Sequence, residues 1–433
     1  MARGAAAKAS PRARARRTAG TTPTAPTKST KSTESAKSTK STESAESTES
    51  RDERWMRRCL ELADAAPGRI APNPRVGCVI VDARGRLLAE GLHRGPGTAH
   101  AEVDALRALG GEARGATLYV NLEPCAHHGR TPPCAPVVAA SGVARVVIGV
   151  LDPVPGHGGG ARLLRRAGVA VKTGVLAAEV RRHNRIFFTW AEQGRPYVVL
   201  KAAMTLDGKI ATASGQSRWI SGEPARALAH TWRAQLEAIA VGRGTVLADD
   251  PRLTVRLPPE RDGAAGPARG TTDPVRVILD SHGTSPPGAK VFDTPGALVA
   301  CRRDVAPRRV AALRARGAEP IFLPLQGGRA GGAGRVSVKA LLRALAKRGL
   351  TSLLVEGGAE LHAAFLAAGV VDELRLFVAP LVLGGQGTSA GPSWVGGIGV
   401  SALAHAPRFV LSAPPQQVGD DVLLVLRPAA AIW

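Results

Sequence analysis

The stretch APNPRVGCVIV at residues 71–81 gives the first indication of the fold. It ends in a β-branched run from Val76 to Val81, with prolines before it and a turn signal at 82–85 after it. Such a run is typical of a buried strand. Helical spacing of apolar residues at 55–63 and 101–109 alternates with strand-like runs at 116–120 and 144–150. The alternation predicts an α/β layer sandwich.

A second series of strand and helix patterns begins near residue 196. Strand-like runs occur at 197–201, 238–241, 275–280, 297–300, 352–356, 374–378 and 422–426, and a helix is predicted at 225–234. We therefore expect a doubly wound α/β domain in this half. Stretches rich in glycine and proline at 258–272 and 326–334 are interpreted as surface loops.

Composition narrows the class of protein. A length of 433 residues suggests two or three domains. The chain contains no apolar run of the kind that predicts a membrane span or a secretory signal. Its five cysteines favour a reducing compartment. We therefore expect a cytoplasmic protein. The formal net charge of +23 would suit nucleic acid, but only 3% of residues are aromatic. That scarcity argues against a base-stacking surface, and no nucleic-acid partner is expected.

Residues 1–50 have a composition of their own. They contain no Leu, Ile, Val, Phe or Trp and end in a repeat of Lys, Ser, Thr and Glu. A segment with so little apolar surface cannot offset its ordering entropy, so a disordered basic tail is predicted. An organelle transit peptide is the alternative. The domain prediction is a tail at 1–50, a first domain at 51–195 and a second at 196–433.

The strongest chemical signal is one histidine and two cysteines. His100, Cys125 and Cys134 offer an imidazole and two thiolates, a donor set that suits Zn²⁺. Three protein ligands leave a fourth tetrahedral position for water, which distinguishes a catalytic zinc from a structural one. Zinc lowers the pKa of a bound water toward 7. A catalytic zinc site is therefore predicted in the first domain.

Glu102 and Pro124 complete this pattern. Glu102 follows His100 by two residues at a predicted helix start, where it can take a proton from water and pass it to a leaving nitrogen. Pro124 is expected to place Cys125 at a helix start as well. The combination of H-x-E and P-C is the signature of zinc nucleobase deaminases. A closed zinc knot recruiting His127 or His128 is the alternative, while Cys59, Cys78 and Cys301 are interpreted as core residues.

At these motifs the chain resembles the RibD family of bifunctional riboflavin-biosynthesis enzymes. The resemblance rests on 71–81, on HAEVDAL at 100–106 and on LEPCAHHGRTPPC at 122–134, where eight residues separate the two cysteines. It implies a cytidine-deaminase-like three-layer α/β/α domain with His100, Cys125 and Cys134 as zinc ligands and Glu102 as proton shuttle. It further implies that Asn73 binds the pyrimidine and that His128 and Arg130, in the enlarged loop, meet the substrate or its phosphate.

One loop departs from the family pattern. Where the family has D-P-N-P-x-V-x-G-x-G, this chain has DPVPGHGGG at 152–160. Val154 stands at the asparagine position and His157 at the valine position. The departure leaves the zinc ligands intact but alters a loop expected to meet the substrate, so a modified substrate affinity is a further hypothesis.

The second half carries a glycine-rich turn and more family-like segments. The stretch LLVEGGAELH at 353–362 predicts a strand, a glycine turn and the start of a helix. Free N–H groups at a helix start favour the binding of an anion. A tight turn without a ligand is the alternative. The segments at 201–211, 214–221 and 244–256 resemble the RibD reductase domain, which has a dihydrofolate-reductase-like doubly wound α/β fold and uses NADPH. The resemblance thus extends over most of 52–433.

The reductase resemblance assigns two groups of residues. The cofactor-binding positions it implies are Ala203, Trp219, Thr245, Asp249, Ser281, Gly358, Ala359, Glu360, Leu361, His362, Ala363 and Ala364. The substrate-binding positions it implies are Ser217, Arg233, Leu253, Arg256 and Glu356, with Lys201 and Asp207 as further candidates. Arg233 and Arg256 suit a phosphate because guanidinium binds it through two parallel hydrogen bonds.

The implied activity has two steps. Water replaces the 2-amino group of 2,5-diamino-6-ribosylamino-4(3H)-pyrimidinone 5′-phosphate, and NADPH then reduces the ribosyl group of the product to ribityl. Zinc and NADPH are the implied cofactors, and a homo-oligomer is expected. A nucleic-acid base deaminase and a zinc-stabilised binding protein with a basic tail are the competing hypotheses. The eight-residue gap between the cysteines, the scarcity of aromatics and the reductase-like half argue against the first, and the role of Glu102 decides the second.

Overall fold

The computed structural model describes residues 49–66, 70–129, 131–257, 273–326, 334–385 and 387–429. The tail prediction lies outside these ranges except for Glu49 and Ser50, and most of the two loop predictions at 258–272 and 326–334 lies outside them too. Ser50 caps the first helix, accepting from the Glu53 N–H through its hydroxyl while the Glu53 carboxylate accepts from the Ser50 N–H. This reciprocal cap fixes the start of the first helix at residue 51.

The first half is built on a five-stranded sheet. Its strands are β1 Gly77–Val81, β2 Leu87–Leu92, β3 Thr117–Leu122, β4 Arg145–Val150 and β5 Ala170–Thr173, in the order β2-β1-β3-β4-β5. The hairpin of β1 and β2 is antiparallel, as is the pair of β1 and β3, while β4 and β5 continue in parallel. Because β3 and β4 are parallel, their carboxyl ends lie at the same edge of the sheet, where the first site forms.

Helices cover both faces of this sheet. They are α1 Arg51–Asp64, α2 Ala101–Arg107, α3 Cys134–Ala140, α4 Gly160–Arg166, α5 Ala177–His183 and α6 Arg185–Gln193. One core joins α1 and α5 to one face, and a larger core joins α2, α3, α4 and α6 to the other. The strands are buried on both faces because each face is covered. This arrangement confirms the three-layer α/β/α prediction, and Cys59 and Cys78 are fully buried core residues as expected.

The second half is built on a ten-stranded sheet within the described ranges. Its strands are β6 Tyr197–Thr205, β7 Ala238–Gly242, β8 Val275–Leu279, β9 Leu298–Arg302, β10 Glu319–Leu323, β13 Ser352–Val355, β14 Glu373–Ala379, β15 Phe409–Leu411, β16 Gln416–Val418 and β17 Asp421–Pro428. The order is β10-β9-β8-β7-β13-β6-β14-β17-β15, and β16 also pairs with β17. A separate short pair is formed by β11 Leu325–Gln326 and β12 Arg335–Val336.

Helices again lie on both faces of the sheet. They are α7 Glu223–Gln235, α8 Arg243–Asp249, α9 Pro307–Ala315, α10 Val338–Ala346 and α11 Ala359–Ala367. Residues of α10 and α11 join one core, and residues of α7 and α9 join the other. The sheet is parallel up to β14, and only the last strands run antiparallel. The doubly wound prediction is therefore confirmed, and Cys301 lies buried in β9.

Buried charge joins the two halves. Glu373 in β14 is 1% exposed and accepts from Arg375 at 2.7 Å and from the Tyr197 hydroxyl at 3.1 Å. Arg185 at the start of α6 and Arg427 in β17 each reach the same carboxylate at 3.4 Å. A carboxylate among three guanidinium groups replaces the water that it loses on burial. The last helix of the first half is thereby tied to the second sheet.

Among the helices of the described ranges, none has the length and apolarity needed to cross a membrane.

Candidate active sites

The first candidate site brings His100, Cys125 and Cys134 together. His100 precedes α2, Cys125 follows β3, and Cys134 is the first residue of α3. The His100 Nδ1 lies 3.1 Å from Cys134 Sγ and 3.6 Å from Cys125 Sγ, and all three donor atoms fall within 4.8 Å. A tetrahedral zinc ion separates nitrogen and sulfur ligands by roughly 3.5–3.8 Å. The three side chains therefore fit the metal that their chemistry predicts.

The surroundings of Cys125 differ from the sequence prediction in one respect. Cys125 does not start a helix; it lies in an irregular segment, and α3 begins only at Cys134. Pro132 and Pro133 cause the delay, because a residue before proline is biased toward extended backbone. The Cys134 N–H donates to Cys125 Sγ at 3.3 Å, so the sulfur still receives a backbone donor from a helix start.

The two thiols share a proton unequally. Hydrogen bonds from Cys134 and from His100 lower the pKa of Cys125, despite its burial. The same pairing and burial raise the pKa of Cys134. Cys125 is thus prepared as a thiolate, the form in which cysteine ligates a metal. Among the described residues the cluster contains no fourth protein ligand, so the alternative of a knot closed by His127 or His128 finds no support there.

Glu102 lies beside these ligands at the start of α2. Its side chain is 3% exposed, and burial raises the pKa of Glu102 to about 7. A carboxyl group with a pKa near neutrality both accepts and returns a proton readily. Position and pKa therefore agree with the proton-shuttle role that the resemblance implies.

Asn73 lines the same cavity, and His93 orients it. The Asn73 Nδ2 lies 2.8 Å from the His93 Nε2, while the His93 Nδ1 lies 3.1 Å from the Ala99 carbonyl. Because the ring is neutral, with its pKa lowered by burial, one nitrogen donates to Ala99 and the other accepts from Asn73. The Asn73 Oδ1 then stays available for a ligand. His93 was not identified from the sequence, where a single histidine after a strand carries no signal.

The zinc cavity has a volume of about 490 Å³ and reaches the altered loop. Val154 and His157 both line it, and the His157 ring stacks on His127 at 3.8 Å between centroids. The departure from the family pattern therefore lies in the cavity wall. His128 lines the cavity as expected, and Arg130 lies outside the described residues.

Glu123 fixes the altered loop in place. Its carboxylate accepts from the backbone N–H groups of Asp152, Gly159 and Ala161 at 2.9–3.1 Å. Thr131 plays a similar part for the ligand set, because its hydroxyl lies 3.3 Å from His100 Nε2 and fixes the ring. Both residues stand in the motif at 122–134, but neither role was predicted from the sequence, since both roles depend on segments that meet only after folding.

Gly160 offers a direct test of how closely this loop packs on the ligands. A Cβ at Gly160 would lie 1.8 Å from the carbonyl oxygen of Pro124, next to Cys125. Gly160→Ala is therefore expected to displace Cys125 and to lower the zinc content of the purified protein and its deaminase rate together. Metal analysis and an ammonia assay measure both, and the reductase rate serves as internal reference.

The matched control for that change is Gly288→Ala. A Cβ at Gly288 would meet nothing within 4 Å, so its zinc content and deaminase rate should equal those of the wild type. Full zinc occupancy in Gly160→Ala would contradict the close packing of Gly160 on Pro124.

The second candidate site consists of two adjoining cavities at one edge of the ten-stranded sheet. Their volumes are about 730 and 600 Å³. Ser217, Thr245, Asp249 and Gly358 line both, so the cavities meet at these residues. Together they are large enough for a dinucleotide and a second small molecule.

Most of the residues implied by the reductase resemblance line these two cavities. The larger cavity holds Ala203, Trp219, Arg233, Leu253, Arg256, Glu356, His362 and Lys201. The smaller holds Ser281, Ala359, Glu360, Leu361 and Ala364. Ala363 lines neither; it is 7% exposed on the packed side of α11. Asp207 lines neither and instead accepts from the Leu383 and Gly384 N–H groups.

A half-buried ion pair lines the larger cavity. Arg233 donates to Glu356 through Nε at 2.9 Å and through a terminal nitrogen at 2.7 Å. Burial would raise the pKa of Glu356, but the charge of Arg233 outweighs it and lowers that pKa to about 2. Burial also lowers the pKa of Lys201. The floor of this cavity thus carries a fixed carboxylate next to two cationic side chains.

His230 supports the second arginine of this cavity. The Arg256 N–H donates to His230 Nδ1 at 3.1 Å, and burial followed by the charges of Arg233 and Arg256 lowers the pKa of His230 to about 4. Arg256 makes no ion pair within the described residues and donates from its side chain to the Thr254 hydroxyl at 3.1 Å. His230 was not identified from the sequence.

The glycine turn leads into α11 as predicted. Gly358 is the N-cap of this helix, and Gly357 donates from its N–H to His362 Nε2 at 3.3 Å. The other ring nitrogen of His362 lies 2.7 Å from the Trp394 carbonyl, and burial lowers the pKa of His362 to about 4. The neutral ring thus holds the turn. Gly242 is the N-cap of α8 beside it, so two helix starts adjoin the smaller cavity and suit a dinucleotide pyrophosphate.

Trp219 stands at the mouth of the larger cavity rather than in a core. Its side chain is 67% exposed, and the Arg226 guanidinium lies 4.4 Å from its ring centroid. An exposed aromatic at a cavity mouth is typical of a ligand contact. Core burial, the ordinary alternative for a tryptophan, does not apply here.

Comparison with known proteins assigns both halves. Residues 49–150 match the family model described as the cytidine and deoxycytidylate deaminase zinc-binding region, and residues 196–407 match the RibD C-terminal domain. The curated riboflavin biosynthesis protein RibD of Bacillus amyloliquefaciens is 40% identical over 87% of this chain and 96% of its own length. The Escherichia coli RibD is 39% identical over 86% of this chain and 98% of its own.

Solved structures agree in fold over the same length. Acinetobacter baumannii RibD is 37% identical with a TM-score of 0.75, covering 87% of this chain and 99% of that one. A diaminohydroxyphosphoribosylaminopyrimidine deaminase/5-amino-6-(5-phosphoribosylamino)uracil reductase from Thermotoga maritima is 36% identical with a TM-score of 0.71 and covers the same shares.

Proposed function

This chain belongs to the RibD family and is a bifunctional deaminase and reductase of riboflavin biosynthesis with zinc and NADPH as cofactors, and from this premise we propose its substrates and residue roles. The first substrate is 2,5-diamino-6-ribosylamino-4(3H)-pyrimidinone 5′-phosphate, and the second is 5-amino-6-(5-phosphoribosylamino)uracil. The Thermotoga relative is named for these activities. The catalytic domains are proposed at 51–195 and 196–433.

In the deaminase, His100, Cys125 and Cys134 hold the metal, which when bound supplies Lewis-acid activation of water. Glu102 would take one proton from the attacking water as the water oxygen bonds to the carbon that carries the 2-amino group. Glu102 then passes the proton to the nitrogen, the carbon–nitrogen bond breaks, and ammonia leaves. Asn73 accepts from the pyrimidine through its free amide oxygen. The pKa of Glu102 supports this exchange, because it lies near neutrality.

In the reductase, the smaller cavity takes the dinucleotide and the larger one takes the deaminated pyrimidine. NADPH, when bound, supplies the hydride. The two helix starts at Gly242 and Gly358 receive its phosphates, and the residues that line both cavities mark where the nicotinamide and the ribosyl carbon meet. The Arg233–Glu356 pair and Arg256 bind the substrate. Reduction adds one hydride and one proton to the open-chain imine of the ribosyl group and yields the ribityl product.

The single observation that carries the proposal is the coexistence of the His/Cys/Cys cluster with Glu102 and the Gly358 turn with the Arg233–Glu356 pair in one chain. A nucleic-acid base deaminase would leave the second site without a role. A phosphorylated small molecule is therefore the proposed partner, and nucleic acid is not. A cytoplasmic homo-oligomer is proposed on family resemblance.

The test uses the purified enzyme with the diaminopyrimidinone ribotide. Ammonia should appear without NADPH, and NADPH oxidation should require the deaminated product. Removal of zinc with a chelator should abolish ammonia release and leave reduction of added deaminated product intact. Oxidation of NADPH by the undeaminated substrate would contradict the proposed order of steps.

A further inference from the structure

A groove of about 330 Å³ lies between the two halves of the chain, beside the zinc cavity. One wall comes from the altered loop and α6, through Val154, Trp190 and Ala191. The other comes from the end of α10 in the second half, through Arg343 and Lys347. We call this feature the basic groove.

The basic groove adjoins the zinc cavity at two residues. Val154 and Trp190 line both concavities. A molecule bound at the zinc ligands can therefore extend past this pair toward α10. Val154 is apolar and offers no donor where the family pattern has asparagine, so a polar substituent that passes it must find its partners farther along.

The two concavities differ in the charged side chains that line them. The zinc cavity is lined by the carboxylates of Glu102, Glu123 and Asp152, and by no Lys or Arg among the described residues. The basic groove is lined by Arg343 and Lys347 and by no carboxylate among the described residues. Both cations are exposed, and neither forms an ion pair in the part of the chain that the structure describes. The backbone N–H of Lys347 donates to the carbonyl of Arg343. That bond places them one helical turn apart, on the same side.

We propose that Arg343 and Lys347 bind the 5′-phosphate of the deaminase substrate while its pyrimidine lies at the zinc ligands. The inference rests on the proposed function, which makes that substrate a phosphate monoester. A phosphate dianion is attracted by the two cations of the basic groove. Guanidinium and ammonium groups are the side chains that bind phosphate. The reductase half thus completes the deaminase site.

The Val154–Trp190 pair separates the two ends of the ligand. Its apolar surface suits the ribosyl carbons between the polar ring and the charged phosphate. The deaminase site then consists, from one end to the other, of the metal ligands, the apolar Val154–Trp190 pair and the basic groove.

The test is the double variant Arg343→Ala/Lys347→Ala in the full-length enzyme. Two charge-assisted contacts are lost, so the KM for deamination should rise about tenfold or more while kcat stays unchanged. Ribose 5-phosphate should inhibit deamination competitively in the wild type and more weakly in the variant. The reductase rate on added deaminated product should not change, because these residues line neither of its cavities.

The matched control is Arg308→Ala/Arg314→Ala, which removes two exposed cations of α9 that line none of these cavities. An unchanged KM in the groove variant, or an equal rise in the control, would overturn the inference. Failure of the wild type to release ammonia would instead contradict the proposed function, so the two failures are distinguishable.

Discussion

Replacing Glu102 with glutamine is expected to lower the deaminase kcat by about 10²–10⁴-fold, the usual contribution of a positioned acid–base group. The amide keeps the shape of the side chain but neither accepts the proton from water nor returns it to the leaving nitrogen. The ligands His100, Cys125 and Cys134 are untouched. Zinc content by metal analysis should therefore equal that of the wild type, and the loss should appear only in ammonia release.

Two comparisons isolate this effect. Glu112→Gln removes an exposed carboxylate of the same domain that pairs with its neighbour Arg114, and it should leave both activities unchanged. The reductase rate of Glu102→Gln on added deaminated product should match the wild type, since its cavities lie in the other half. Deamination at the wild-type rate with zinc bound would exclude Glu102 as the proton shuttle.

Replacing Glu373 with glutamine is expected to lower the free energy of unfolding by about 3 kcal/mol, because removing one partner of a buried ionic cluster leaves the others uncompensated. Arg185, Arg375 and Arg427 would lose their shared carboxylate, while their side chains remain 13–26% exposed. We expect a value at the lower end of the range usual for breaking a buried ion pair, because the arginines keep some contact with water. Urea unfolding followed by circular dichroism measures the change.

Glu319→Gln is the matched surface control. Glu319 pairs with Arg348, and both side chains are more than one third exposed, so the change should cost less than about 1 kcal/mol. Equal destabilisation by the two variants would contradict the structural importance of the buried cluster.

The same carboxylate gives a dependence on pH. Burial would raise the pKa of Glu373, but the arginines, Arg375 foremost, outweigh it and lower the pKa from 4.5 to about 2. A lowered pKa contributes stability that is present above the unfolded value of 4.5 and is lost as the pH falls toward 2. In Glu373→Gln this part of the acid destabilisation should be missing.

The sequence predicts whatever lies within one motif or one periodic segment. The zinc ligands, Glu102 and the Gly358 turn each carry a local pattern, and the structure brings the members of each pattern together. The alternating segments likewise predict both sheets, because periodicity and burial are properties of single strands.

The wrong and missing sequence predictions concern features that depend on contacts between distant segments. The helix start expected at Cys125 is wrong because two later prolines delay α3. His93, Glu123 and His230 were missed because each acts on a residue from a distant segment, and nothing in a single histidine or glutamate reveals that partner. The basic groove depends on α10 meeting α6, which no local pattern of either helix contains.

The ion pair between Arg185 of α6 and Glu373 has a consequence for separating the two domains into two proteins. Helix α6 carries Trp190 toward the zinc cavity at one end and Arg185 toward the second sheet at the other. A protein cut at residue 195 would leave Arg185 without its carboxylate and Trp190 without the facing helix. Fusion of the two activities in one polypeptide therefore does more than keep them at equal dosage: it keeps α10 beside α6 and preserves the basic groove that both halves line.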